Sequence, residues 1–232
     1  MEQSRGVQPT GGPPSVSAHG VTMQILATEH WSLLATRSLG YTDSFSRVNM
    51  FFSVLSGVVI ALALIAQAGR FNETFVVAAV LLLSIVFFVG EATIARVANL
   101  NNEDAYWVKG MNRIRHAYLE LHPELSEYFV TGQHDDLRGI FTTLGLTTAL
   151  PGQLGGLSHG LQTLPGMLTV IVAVVAGAWG ALAVVALGAP QSVAIAAGAA
   201  CFLLTVVANG ISARRLIFRF SKGAETRFPT PD

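Results

Sequence analysis

From residue 139 to residue 213 the chain runs for 75 residues without one Asp, Glu, Lys or Arg. A soluble domain is about 25% charged, so a run of this length cannot present an ordinary wet surface. Two shorter runs precede it. Between Arg47 and Arg70 lie 22 uncharged residues, and between Glu73 and Glu91 lie 17. The whole chain is 51% hydrophobic and 12% charged, with a mean hydropathy of +0.52. The solvent for much of this chain is lipid.

Span lengths follow from helix geometry. Residues 50–68 cover about 28 Å at 1.5 Å per residue, close to a ~30 Å hydrocarbon core. Residues 74–90 are short for a span, so that helix is expected to continue past Glu91. Residues 167–187 and 192–211 make two more spans, separated by Gly188-Ala189-Pro190-Gln191, a turn punctuated by Gly and Pro. Glycine and asparagine around Arg70 mark another tight connection. The expected fold is all-α: four transmembrane helices as two antiparallel hairpins, residues 49–98 and 166–212, joined by a cytoplasmic helical segment, residues 99–138.

Orientation is read from Lys and Arg near the spans. The two short turns carry Arg70 alone. The other thirteen basic residues fall in the N-terminal arm, the central segment and the C-terminal tail. Those three regions are therefore expected in the cytoplasm, with the spans in the cytoplasmic (inner) membrane and both termini inside. The first long apolar run begins near Met50, too late for a cleavable signal peptide. Residues 1–20, rich in Gly, Pro, Ser and Gln, read as a disordered tail.

The polar parts carry their own signals. Residues 21–48 read as an amphipathic helix at the interface, where Trp31 and Tyr41 suit the headgroup level. Asn101-Asn102-Glu103-Asp104 reads as a helix start, a capping Asn followed by acids at the positive dipole end. Downstream, Trp107, Met111, Ile114, Tyr118 and Leu121 recur at steps of four, three, four and three on one face. That face is read first as packing against the N-terminal arm or another subunit. The second reading is a basic interfacial helix, with Lys109, Arg113, Arg115 and His116 off the stripe. Pro123 ends the helix or starts the next. Residues 139–165, broken by Gly and Pro, read as a linker or a re-entrant segment, and residues 213–232 as a basic cytoplasmic tail.

Glu91 is the residue with most to explain. An ionisable group at that depth is costly in lipid and is a functional hypothesis by default. Folding the first hairpin about residues 70 and 71 puts Glu91 level with Met50, so Arg47 or Asn49 is the expected partner. The alternative is a proton or ion site. His122, Glu124, His134, Asp135 and Asp136 form a weak metal-ligand set, with no HExxH-type spacing, and the bland reading of His134-Asp135-Asp136 is a solvated loop. Cys201 sits in a span without a nearby His and reads as filler. There is no GxSxG, Walker or GxGxxG motif, so no catalytic residue and no cofactor site is assigned. Net charge is zero, which gives no field for a nucleic-acid partner. Small residues at four-residue spacing mark helix packing in lipid: Ser53, Gly57 and Ala61 in the first span, Ala173, Gly177 and Ala181 in the third, Ala194 and Gly198 in the fourth. They serve contacts within the chain or in a homo-oligomer.

The stretch ATEHWSLLATRSLGYTDSFSR, the hairpin after it, and NNEDAYWVKGMNRIRHAYLELHPELSEYFVTGQHDD resemble a family of uncharacterised bacterial, mainly actinobacterial, multi-pass membrane proteins. The resemblance covers residues 27–136 and implies a membrane location without an activity. A looser similarity is to SLATT-type membrane effector domains, which share a helix, a hairpin and a cytoplasmic helix. The leading functional expectation is a non-enzymatic membrane protein acting as scaffold, sensor or pore component, with the bilayer and other copies as its partners. A channel or transporter using Glu91 comes second, and a membrane enzyme with a cytoplasmic metal site last.

Overall fold

A computed structural model describes residues 18–69, 72–146, 163–223 and 225–231. Among the described residues five α-helices follow one another: α1 Ala18–Gly69, α2 Glu73–Leu121, α3 Leu137–Thr143, α4 Leu164–Ala186 and α5 Gln191–Gly223, with a 3-10 turn Pro123–Tyr128 between α2 and α3. No strand occurs among the described residues. Residues 1–17, Arg70, Phe71 and residues 147–162 lie outside them. With those go most of the expected N-terminal tail, the middle of the first turn and most of the linker or re-entrant segment.

Local chemistry sets the helix ends. The Asn72 side chain accepts from the Phe75 N–H at 3.0 Å, and Glu73 stands in the first turn, so α2 opens with a cap and an acid at its positive end. Thr163 caps α4 with Pro165 in its first turn. Gly188 closes α4 with φ +79, a conformation that glycine adopts without strain. Its N–H bonds the Val185 carbonyl while that of Ala189 bonds the Val184 carbonyl. Pro190 then leads into α5.

Four described helices, α1, α2, α4 and α5, are long and apolar enough to cross a membrane. α1 has 52 residues and α2 has 49, or about 78 and 74 Å at 1.5 Å per residue. A ~30 Å hydrocarbon core takes less than half of each. Their partners run in opposite sequence order. Leu33 meets Gly110, Arg37 meets Asp104, Asp43 meets Arg96 and Phe51 meets Gly90. Glu91 follows Gly90, which meets Phe51.

The main core joins α1 (Val48, Phe51, Val58), α2 (Leu83, Val86, Ile94, Val97) and α4 (Leu168, Val172, Val175). Gly90 lies at their crossing, where a Cβ would overlap Val172 and crowd Phe51. α5 packs mainly on α4, and glycine permits the approach. A Cβ at Gly198 would lie 2.9 Å from the Gly177 carbonyl oxygen and 3.3 Å from Ala181 Cβ. Ala173 and Ala194 are buried. The small residues of the third and fourth spans thus pack within the chain. Those of the first do not: Ser53 and Gly57 are exposed, Ala61 is half-buried, and a Cβ at Gly57 would meet nothing within 4 Å.

Three boundaries differ from the sequence reading. The arm at 21–48 is no separate helix but the first part of α1. No helix begins at Asn101, because α2 runs through it unbroken. A cap signal inside a helix is overridden when its acids find cations. Asp104 takes Arg37 at 2.6 Å, and Glu103 takes Arg96 at 3.2 Å. The basic tail is also shorter than expected, since α5 continues to Gly223 and carries Arg214, Arg215 and Arg219.

Candidate functional site

Two polar sites tie α2 to α5 and to the segment after it. The first holds Glu91, whose expected partners are not the observed ones. Arg47 pairs with Asp43 at 3.1 Å on its own helix, and Asn49 is exposed. The Glu91 carboxylate instead accepts from the Asn209 side-chain amide of α5 at 3.0 and 3.3 Å, and that amide also reaches the Thr205 carbonyl at 3.2 Å. The reason is rotation about α2. Gly90 points at α1 and α4, and one residue further on turns the side chain about 100° around the helix, toward α5. Facing was not legible from spacing. Asn209, a lone amide near the end of an apolar span, was the available signal.

The second site is a polar junction beyond the spans. Asp135 has no exposed side-chain area. Its carboxylate accepts from Arg113 at 2.7 Å, from the Arg227 N–H at 3.1 Å and from the Phe228 N–H at 2.8 Å. The Asp135 N–H in turn donates to the Phe228 carbonyl at 3.1 Å. Asp136 caps α3 at the Gly139 N–H, 2.8 Å, and accepts from Thr230 through both N–H and hydroxyl, at 3.1 and 2.9 Å. Lys109 and Arg113 both donate to the Glu225 carbonyl. The His116 ring stacks on Phe228 with centroids 4.1 Å apart. The stretch of residues 225–231, which bends at Arg227 and Phe228, is therefore held by its backbone as much as by its side chains.

Beneath it, Asn112 is fully buried. Its amide donates to the His134 carbonyl at 2.8 Å, and its oxygen accepts from Arg115 and Thr143, each at 2.8 Å. Phe220 of α5 fills the apolar side with Val108 and Ile140. Asn112 carried no sequence signal, since a lone Asn in a basic helix looks like a surface residue.

Electrostatics support tight docking. Burial alone would raise the Asp135 carboxyl, but the two N–H donors and Arg113 outweigh it and hold the group below the usual carboxylate range. Asp136 behaves likewise, lowered by the bonds from Gly139 and Thr230 against desolvation. Desolvation pulls the Lys109 ammonium down, and Asp135 opposes this.

The metal-ligand candidates are dispersed into other tasks. His122 bonds Glu124 at 3.0 Å on the surface. His134 gives its carbonyl to Asn112, and its buried Nδ1 has no partner. Asp135 and Asp136 are engaged as above, so the solvated-loop reading is corrected as well. Among the described residues no group of three or more His, Cys, Asp or Glu is placed to hold a metal ion. The apolar stripe on α2 packs inward as expected, with Trp107 against Gly40 and Met111 and Ile114 buried. Two cations of the basic face, Lys109 and Arg113, meet residues 225–231, and Arg115 meets Asn112.

Four helices long and apolar enough to cross a membrane, two of them of 52 and 49 residues, mark the chain as a membrane protein. Comparison with known protein families, with curated proteins and with solved structures finds no match.

Proposed function

We propose that the chain is a non-enzymatic membrane scaffold, in which two antiparallel membrane hairpins carry a stiff stalk into the cytoplasm of a bacterial cell. One observation carries this reading. α1 and α2 continue unbroken from their spans into a shared pair, bolted by Arg37 on Asp104 and by Arg96 on Asp43. A stalk that continues a membrane helix holds whatever binds it at a set distance and angle from the membrane. The Lys and Arg bias supports the cytoplasmic side, and the segment 225–231 pins α5 back onto the stalk. The clefts described at Arg37–Trp107 and at Lys109–Asp136 measure about 10 and 30 Å³, room for a water or two rather than for a small-molecule ligand.

A transport reading keeps one argument in its favour. Glu91 is held by a neutral amide, not by a cation. The test separates the two. Protein reconstituted in liposomes should give no proton, sodium or potassium flux above empty vesicles. Flux that Glu91→Gln abolishes would replace the scaffold with a channel or transporter.

A further inference from the structure

Trp31, Leu34, Ser38, Tyr41 and Phe45 follow one another along α1 at steps of three and four, which sets them on one face. The face beside it is occupied by α2, through Leu33, Arg37 and Gly40. The stripe itself is open, with only the Tyr41 hydroxyl reaching back to Arg37 and Asp104 at its α2 edge. Trp31 is 69% exposed, Leu34 40%, Tyr41 50% and Phe45 58%. The same register continues into the span as Phe52 and Val59, both exposed. Apolar exposure is ordinary in lipid, but Trp31 stands about 25 Å along the helix before Val48, where the stalk meets water.

We propose that this stripe is the contact with a second copy of the chain, α1 against α1 in parallel, about a twofold axis along the membrane normal. The proposal rests on the scaffold reading only in placing residues 18–47 outside the bilayer. The open area is sufficient for a dimer. Aromatic side chains bury 150–250 Å² each, so the exposed fractions of Trp31, Tyr41 and Phe45 offer on the order of 350 Å². Leu34, 40% exposed, raises this to on the order of 400 Å² per copy. The continuation through Phe52 and Val59, 39% and 55% exposed, brings the total over both copies to on the order of 1,100 Å², above the roughly 1,000 Å² that a specific interface needs. Charge agrees. A twofold contact sets each residue near its own counterpart, and the stripe contains no Asp, Glu, Lys or Arg. Its border away from α2 is also uncharged and mostly small. Ala35, Thr42 and Ser46 lead into Ser53, all exposed, which lets two backbones approach closely. The chain's other segments fit the stripe poorly. Residues 1–17 contain only Met1, Val7 and Val16 as apolar side chains. Residues 147–162 join α3 to α4, and both of those helices pack on α2.

The test uses the full chain in native membranes with Cys201→Ala as background. Single cysteines at Leu34, Ser38, Tyr41 and Phe45 should cross-link on mild oxidation to a product of twice the chain mass, and those at Leu33 and Thr36 at least tenfold less. In lipid nanodiscs the unmodified protein should have the mass of two chains. Trp31→Glu with Phe45→Glu should give one chain, with helix content and melting temperature kept, because both residues are exposed. A single-chain mass for the unmodified protein, or cross-linking without that periodicity, would overturn the proposal. Monomers whose Ser38→Cys thiol resists a membrane-impermeant reagent would show lipid as the occupant, and would overturn it too. Ion flux would remove the scaffold reading and leave the dimer standing, so the two failures are distinguishable.

Discussion

Asp135→Asn isolates the polar junction, because it keeps the side-chain shape and removes the charge. The native carboxylate is fully buried and accepts three kinds of donor: Arg113, the Arg227 N–H and the Phe228 N–H. Hydrogen bonds to a charged group contribute about 1.5–3 kcal/mol each. Arg113 is 32% exposed, so water takes up part of its loss. The amide keeps one acceptor oxygen but turns an NH2 toward a donor. The expected loss is about 2–3 kcal/mol, which at 1.36 kcal/mol per tenfold weakens docking of residues 225–231 roughly 30- to 160-fold. The loss is local, since the core of α1, α2 and α4 includes none of these residues. Hydrogen exchange reads it directly. Protection at the Phe228 and Thr230 amides should fall by that factor, while protection at Val86 stays unchanged. Acid gives the same result by another route. Asp135 and Asp136 both titrate below their ordinary values in the folded protein. Their stabilisation is therefore complete above the unfolded pKa, about 3.9, and is lost only as pH falls through the lower folded values. The segment should stay docked at pH 5 and come free in stronger acid. Protection at Phe228 within threefold of the unmodified protein in Asp135→Asn, or release already at pH 6, would refute the reasoning.

At the other site, Asn209→Leu should lower stability in detergent by about 1–3 kcal/mol by leaving the Glu91 carboxylate without its donor. Glu91→Leu added to it should recover part of the melting temperature, and two losses that simply add would show the pair is not coupled. Gly198→Leu should open the α4–α5 contact and cost several kcal/mol by overpacking, on the order of 1–3 or more. Gly57→Ala, which meets nothing within 4 Å, should be neutral or stabilising by up to about 1 kcal/mol; equal losses would mean that Gly57 is packed. Cysteines introduced at Asn72 and Gln191 should label with an impermeant thiol reagent in intact cells, and one at Gln133 should not; labelling at Gln133 would invert the topology.

What the sequence alone determined is what depends on composition and length. The charge-free runs required helices in lipid, because only a helix satisfies its own backbone there, and Gly188-Ala189-Pro190 marked one connection. Gly177 and Gly198 were legible as packing residues, since small side chains at four-residue spacing have few other uses. The tertiary structure decided everything that turns on facing and on distant partners. Asn209 is 118 residues from Glu91, and Arg227 is 92 from Asp135, so no local pattern joins them. Asn101 and its acids read as a cap because propensity counts nearest neighbours in the chain, whereas Arg37 of α1 takes Asp104 from 67 residues away and Arg96, two turns earlier on α2, takes Glu103. Asp135 read as solvated because burial comes from packing, and the segment that buries it arrives from the far end of the sequence. Periodicity assigns a residue to a face of its helix, and only the neighbouring helices determine whether that face meets lipid, water or a partner.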